Sequence, residues 1–262
     1  VVWGPLSAYM KDKRNIYFSA DGDFNYIGIE YVQYEGKPLS EQKNVYRLST
    51  TKQLCYHYPK TQVENAVLFG NIDYNVSNEK PTEEVERSLV AMRGAGSSAS
   101  GEMKFANLEK SRREIEQIAK LLTEHKVGNV VSMSDAQASD EAFLSLNDSK
   151  VNILHIASHG AYREEVKSKD ENDAMKRSFL AFAGANLGDG YGIVTAADIA
   201  KMNLRHCDLA VLSACETALG QMGADGVFGL QRGFKNAGVH TLLMSLRNVY
   251  DAATAEMMIQ FY

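Results

Sequence analysis

The chain has 262 residues, 45% hydrophobic and 23% charged. It is long enough for one large α/β domain or two smaller ones around a sizeable core. Its formal net charge of −5 argues against a nucleic-acid-binding surface, which needs clustered positive charge. No apolar run approaches the roughly 20 residues of a membrane helix. We therefore expect neither nucleic acid nor a membrane as a partner.

The cysteines indicate a reducing environment. There are three, Cys55, Cys207 and Cys215, and no CxxC pair occurs. A sparse, odd set does not build a disulfide framework, so we expect free thiols. The first residues lack the basic and apolar regions of a signal peptide. Together these features predict a cytoplasmic protein.

The N-terminal part is rich in β-formers. Residues 16–35 alternate aromatic and β-branched residues around Asp21–Gly22–Asp23 and predict a hairpin. A second apolar stretch, AVLFGN at 66–71, predicts a buried strand. Polar and small residues then run from about 76 to 105, with GAGSSASG at 94–101, which predicts a flexible loop open to proteolytic cutting.

Helical and strand patterns alternate through the rest of the chain. Predicted helices cover 107–125, 139–146, 195–203, 225–238 and 251–262, and predicted strands cover 129–133, 152–160, 178–186, 207–215 and 239–246. Ser139, Thr195 and Asp251 are expected helix N-caps, and Gly238 is expected to end its helix. The strands are nearly continuous apolar runs, which predicts a mostly parallel sheet with helices on both faces.

Two of these strands end in chemically reactive residues. NILHIASHG, at 152–160, ends in His159 and Gly160, and DLAVLSACETALG, at 208–220, contains Cys215. Functional groups gather at the carboxyl ends of parallel strands, so neighbouring strands would bring the two side chains together. An imidazole that removes a thiol proton produces a nucleophilic thiolate. The N–H groups of Gly160 and Cys215 would then bind the developing oxyanion.

Simpler interpretations exist for the other candidates. A lone cysteine is usually a small buried hydrophobic residue, which is the interpretation for Cys55 and Cys207. His155 and His159 are four residues apart, a spacing that suits zinc on a helix. Here they lie on a predicted strand with no evident third ligand. We therefore interpret His155 as structural and expect no metal and no cofactor.

The chain resembles the CHAT family of caspase-like cysteine peptidases. The matching blocks, in order, are NIYFSADGDFNYIGIE, AVLFGNIDYN, SRREIEQIAKLL, ILHIASHG, LAVLSACETALG, GADGVFGLQRGFKNAGV and SLRNVYDAATAEMMIQFY. His159 precedes Cys215 by 56 residues, close to the roughly 50 of caspases. The resemblance implies a caspase-like α/β fold and a catalytic dyad of His159 and Cys215, with Gly160 in the oxyanion hole.

The resemblance also implies a division of the chain and a function. Residues 1–105 would form a β-rich pseudo-caspase-like portion with the flexible loop, and 106–262 the catalytic portion, within one continuous CHAT domain. The implied activity is intracellular cleavage of peptide bonds through a thioester, controlled by a tetratricopeptide-repeat region or partner. A catalytically silent interaction scaffold, or a thioesterase or acyltransferase with the same residue pair, stays open.

One block departs from the usual family pattern. Family members usually carry Trp-Pro or Trp-Asp where this chain has Arg247 and Asn248, shortly before Asp251. We expect Asp251 and Arg247 to border the substrate pocket. A carboxylate there would favour a basic residue before the cleaved bond, unless Arg247 pairs with it or Asp251 serves only as a helix cap.

Overall fold

The computed structural model describes residues 2–20, 24, 27–48, 50–55, 62–76, 104–162, 175–188, 190–213, 224–245 and 251–262. The chain divides into two compact units, Val1–Lys60 and Thr61–Tyr262. The larger unit carries the candidate site.

A five-stranded parallel sheet forms the centre of the larger unit. Its strands are β5 (Asn65–Ile72), β6 (Asn129–Asp135), β7 (Ile153–Ile156), β11 (Leu209–Leu212) and β12 (Thr241–Met244). Their spatial order is β12-β11-β7-β5-β6, and every neighbouring pair is parallel. Strand order therefore reverses between β5 and β7, the kind of position where open α/β sheets bind ligands.

Helices cover both faces of this sheet, as predicted. They are α3 (Ser111–Glu124), α4 (Asp140–Leu144), α5 (Ala196–Ile199), α6 (Ala224–Asn236) and α7 (Asp251–Phe261). Side chains alternate along β7, so that Ile153 packs in a cluster with α3 and α7, whereas Leu154 and Ile156 pack with α4, α5 and α6. The two clusters form one core on each face.

The predicted helix boundaries follow their local chemistry. The Ser139 side chain accepts a hydrogen bond from the Ala142 backbone at the start of α4, and Thr195 forms a capping box with Asp198 at the start of α5. After α6, Gly238 adopts φ +99°, a conformation that favours glycine at a helix end. These three predictions are confirmed.

A small antiparallel sheet continues the chain after β7. It consists of β8 (Gly160–Tyr162), β9 (Ser178–Ala181) and β10 (Ile193–Thr195), in the order β10-β9-β8. Gly160 pairs with Leu180, and the Ala181 N–H donates to the His159 carbonyl. The backbone at the end of β7 is thus tied to β9.

The smaller unit has its own core and does not form the predicted hairpin. Its elements are α1 (Ser7–Met10), β1 (Asn15–Phe18), β2 (Gln33–Tyr34), β3 (Lys37–Pro38), α2 (Leu39–Gln42) and β4 (Asn44–Arg47). β1 pairs in parallel with β4, and β2 with β3 forms the short antiparallel pair. The hairpin over 16–35 is wrong, because alternation predicts a strand but not its partner.

The predicted division at residue 105 stays a prediction, although β5 precedes that point and lies beside β7 in the sheet. The predicted flexible loop at 94–101 lies outside the described residues, and so do residues 163–174 after β8, a mixed-charge sequence that predicts a surface loop. Within the described part of the chain, no helix combines the length and apolar character that a membrane span requires.

Candidate active site at the ends of two neighbouring strands

β7 and β11, the strands that lead to His159 and Cys215, are direct neighbours. They pair in parallel, with Ile156 opposite Leu212. His159 follows Ile156 by three residues, and Cys215 follows Leu212 by the same number. The condition on which the predicted dyad depended, adjacency of the two strands, is therefore met. The structure describes the chain after β11 as far as Ser213, so Cys215 lies outside the described residues.

The His159 imidazole is fully buried and bonded to a backbone carbonyl. Its Nε2 lies 2.6 Å from the carbonyl oxygen of Ala106. A carbonyl oxygen only accepts hydrogen bonds, so Nε2 carries the proton. In the neutral ring the lone pair is then on Nδ1, which is the tautomer that presents Nδ1 as the base.

Two aromatic rings pack against this imidazole. The Tyr74 ring lies beyond the end of β5, with its centroid 5.0 Å from that of His159. Phe105 stacks at 5.6 Å with an interplanar angle of 27°. Tyr74 and His159 follow the two strands between which the strand order reverses. The imidazole therefore sits at the switch point of the sheet, with its ring plane restricted by packing.

The Tyr74 hydroxyl extends the contacts below the imidazole. It lies 3.3 Å from Ser158 Oγ, and Ser158 Oγ donates to the carbonyl of Ala181. Because a serine hydroxyl has one proton, the Tyr74 hydroxyl is the donor to Ser158. Burial raises the pKa of Tyr74 well above its usual range, so the phenol keeps that proton at neutral pH.

The remaining predicted site residues fall in different places. Gly160, the expected oxyanion donor, is buried at the start of β8. Asp251 is partly exposed at the first residue of α7, and its Oδ2 accepts from the Lys110 backbone N–H at 3.1 Å, where α3 begins. Asp251 is thus the first helical residue of α7 and not the residue before it, as the predicted N-cap would be. Arg247 lies outside the described residues.

His155 lies in a buried polar network. Its Nε2 is 3.0 Å from Oε1 of Glu114 on α3, and its Nδ1 is 3.3 Å from the hydroxyl of Tyr262. His155 and Glu114 are at most 1% exposed. These contacts join β7 to α3 and to the end of the chain beyond α7. Among the described residues, no group of three His, Cys, Asp or Glu side chains is placed to hold a metal ion.

The two described cysteines have opposite environments. Cys207 is fully buried, as interpreted, and burial raises its pKa to about 12. Cys55 is exposed in the turn Thr51–Cys55, so its interpretation as a buried residue is wrong.

Sequence reasoning missed the groups that hold His159, namely Tyr74, Phe105 and the carbonyl of Ala106. The Ala106 carbonyl carries no sequence signal, since every residue has one. Tyr74 lies within the AVLFGNIDYN block, but neither it nor Phe105 is close to His159 in the chain, so the sequence does not show that their rings pack on the imidazole.

The family comparison covers the whole chain. The model of the CHAT domain family matches residues 1–262. No curated protein matches the sequence.

Proposed function

Because the chain belongs to the CHAT domain family, a caspase-like family, we propose that it is an intracellular cysteine endopeptidase. The observation that carries the proposal is the state of His159 at the end of β7. Its Nε2 proton is directed at the Ala106 carbonyl, 2.6 Å away, and Cys215 follows the adjacent strand at the same offset. This arrangement supports Nδ1 of His159 as the base and Cys215 as the nucleophile.

In the proposed first step, Nδ1 of His159 removes the proton from the Cys215 thiol, and the thiolate attacks the carbonyl carbon of the peptide bond. The N–H groups of Gly160 and Cys215 bind the oxyanion of the tetrahedral intermediate, with each donor contributing about 10²–10³ in rate. The Ala106 carbonyl accepts from the imidazolium that forms and stabilises its charge.

The second half of the reaction returns the proton. The imidazolium protonates the leaving amine, the C–N bond breaks and a thioester remains on Cys215. His159 then activates a water molecule, which attacks the thioester, and the thiolate leaves and recovers its proton. No cofactor or metal is needed for these steps, because the oxyanion is bound by backbone N–H groups.

For the residue before the cleaved bond, we propose a preference for Arg or Lys. Asp251 Oδ2 accepts one backbone hydrogen bond, which leaves the carboxylate with further acceptor sites for a basic side chain. Arg247 would adjust this preference by pairing with the same carboxylate. A tetratricopeptide-repeat region or partner is the proposed regulator, and the cytoplasm, which keeps thiols reduced, the proposed location.

The proposal is tested by measuring peptide cleavage in three variants, each with one of the three cysteines replaced by alanine. Cys215→Ala should lose cleavage of a peptide library by at least about 10³-fold, since the nucleophile is absent. Cys55→Ala and Cys207→Ala are the matched controls and should keep the wild-type rate. A chelator should leave the rate unchanged, whereas a thiol-alkylating reagent should abolish it.

Two results would contradict the endopeptidase. Undiminished cleavage by Cys215→Ala would exclude Cys215 as the nucleophile. If the wild-type protein cleaves no peptide and Cys215 reacts no faster with iodoacetamide than a free cysteine, the fold serves as an interaction scaffold instead.

A further inference from the structure

The carbonyl that holds His159 belongs to a segment without regular secondary structure. Residues 104–110 precede α3 and lie in neither a helix nor a strand. A backbone carbonyl in such a segment keeps its direction only if other contacts fix the chain. The direction of the Ala106 carbonyl determines where the Nε2 proton points, so the groups that fix this segment bear on the imidazole.

The side chain of Asn186 binds both backbone groups of the residue next to Ala106. Its Oδ1 accepts from the Phe105 N–H at 2.7 Å, and its Nδ2 donates to the Phe105 carbonyl at 2.9 Å. This double contact imitates a pair of strand hydrogen bonds with a single side chain. It fixes the peptide unit that leads directly to Ala106.

Asn186 is itself fixed by the end of β5. Its backbone N–H donates to the Tyr74 carbonyl at 2.8 Å, and the second proton of its Nδ2 is directed at Asn75 Oδ1 at 3.0 Å. Both protons and the oxygen of the amide are thereby used, and these partners determine which way the amide is oriented. Asn186 therefore joins Phe105 to the residues beside Tyr74, the ring that packs on His159.

The other end of the segment is anchored separately. Lys110 N–H donates to Asp251 Oδ2, and Ser111 Oγ donates to the Leu108 carbonyl at 2.7 Å. Ala106 lies between these anchors and Phe105, the residue whose backbone Asn186 binds. The Asn186 contacts are thus the backbone hydrogen bonds that lie next in the chain to the carbonyl that accepts from His159, whereas packing on Tyr74 and His159 holds the Phe105 ring.

We infer that Asn186 is a positioning residue for the proposed reaction: its amide holds Phe105 so that the Ala106 carbonyl fixes the Nε2–H tautomer of His159. The link to catalysis rests on the proposed function, but the effect on the imidazole does not. Loss of the amide frees the 105–106 peptide unit, and the ring then exchanges between tautomers and orientations.

The test measures the His159 imidazole directly by ¹⁵N NMR of the full chain, with the resonance assigned by its absence in His159→Gln. Wild type should show the Nε2–H tautomer alone. Asn186→Leu, which removes both contacts, should show a mixture. Asn186→Asp, which keeps the acceptor for the Phe105 N–H but loses the donor, should lie between them.

Asn203→Leu is the control for general destabilisation. Asn203 is another loop asparagine of the same unit, and its amide bonds Asp148 and Arg205. It should lower the melting temperature without changing the imidazole spectrum. Where peptide cleavage is measured, Asn186→Leu should lower kcat by about 10- to 100-fold and change KM by less than about threefold, since a misplaced catalytic group costs rate rather than substrate binding.

A single, unchanged Nε2–H tautomer in Asn186→Leu would overturn the inference. If that variant fails to fold, an unchanged spectrum in Asn186→Asp has the same consequence. If the wild-type protein cleaves no peptide, but Asn186→Leu still changes the His159 tautomer as expected, the proposed function is rejected and the positioning role is kept.

Discussion

Removal of the Glu114 carboxylate should be among the more damaging single changes to the larger unit. Glu114 is 1% exposed and His155 is fully buried. Oε1 of Glu114 lies 3.0 Å from Nε2 of His155. Glu114→Ala deletes the hydrogen bond to His155 and leaves Nε2 of the buried imidazole without this partner. Each such loss costs about 1–3 kcal/mol, so the free energy of unfolding should fall by about 3 kcal/mol.

Milder and matched changes separate this cause from helix effects. Glu114→Gln keeps a carbonyl acceptor and should cost about 1 kcal/mol. Glu124→Ala, on the same helix, removes an exposed carboxylate 3.9 Å from Lys120 and should cost less than about 0.5 kcal/mol. The double change Glu114→Leu with His155→Leu removes both members of the pair, so that neither is left buried without the other, and should be less damaging than the sum of the two single Leu changes.

The assay is urea unfolding followed by circular dichroism, with midpoints compared at equal slope. If Glu114→Ala is no less stable than Glu124→Ala, the network contributes nothing to stability. The reasoning from burial would then fail.

Two further predictions concern stability. Because burial raises the pKa of Cys207 to about 12, the unfolded thiol ionises first as pH rises, so the free energy of unfolding should fall by up to about 1.4 kcal/mol per unit above roughly pH 9. Cys207→Ala should flatten urea-derived stabilities between pH 9 and 10, and an equal slope in both proteins would disprove the cause. Gly192 has φ +61°, and an added Cβ would lie 2.5 Å from the Ala183 carbonyl oxygen. Gly188→Ala adds backbone strain but no clash, because the space around that position is open. Gly192→Ala should therefore lower the free energy of unfolding by about 2 kcal/mol more than Gly188→Ala. Equal losses would show that the clash relaxes.

The parallel sheet was predictable because its strands have a recognisable sequence pattern. Strands such as Leu209–Leu212 are short apolar runs between helical patterns, and helices such as Asp140–Leu144 begin at a recognisable cap. Local sequence dictates both features, since periodicity and capping act within a few residues. The same local rules identified β1 as a strand but assigned it the wrong partner, because pairing is decided by contacts that are distant in sequence.

In the candidate site, too, the residues with a local sequence signal were predictable, and those whose roles depend on distant contacts were not. His159 stands out because a histidine and a glycine interrupt a buried strand, and the adjacency of β7 and β11 brings its strand beside the one that precedes Cys215. Nothing in the sequence marks Ala106 or Asn186, whose roles depend on backbone geometry. Because every residue has a backbone carbonyl, residue type does not indicate which carbonyl accepts the hydrogen bond from His159.

The contacts of Asn186 have a consequence for the continuity of the chain. Asn186 bonds Asn75 on one side of residues 77–103 and Phe105 on the other, and the rings of Tyr74 and Phe105 lie 5.8 Å apart. The two flanks are therefore held together without the peptide bonds between them. A backbone cut within 77–103 would yield two fragments that stay associated around the imidazole.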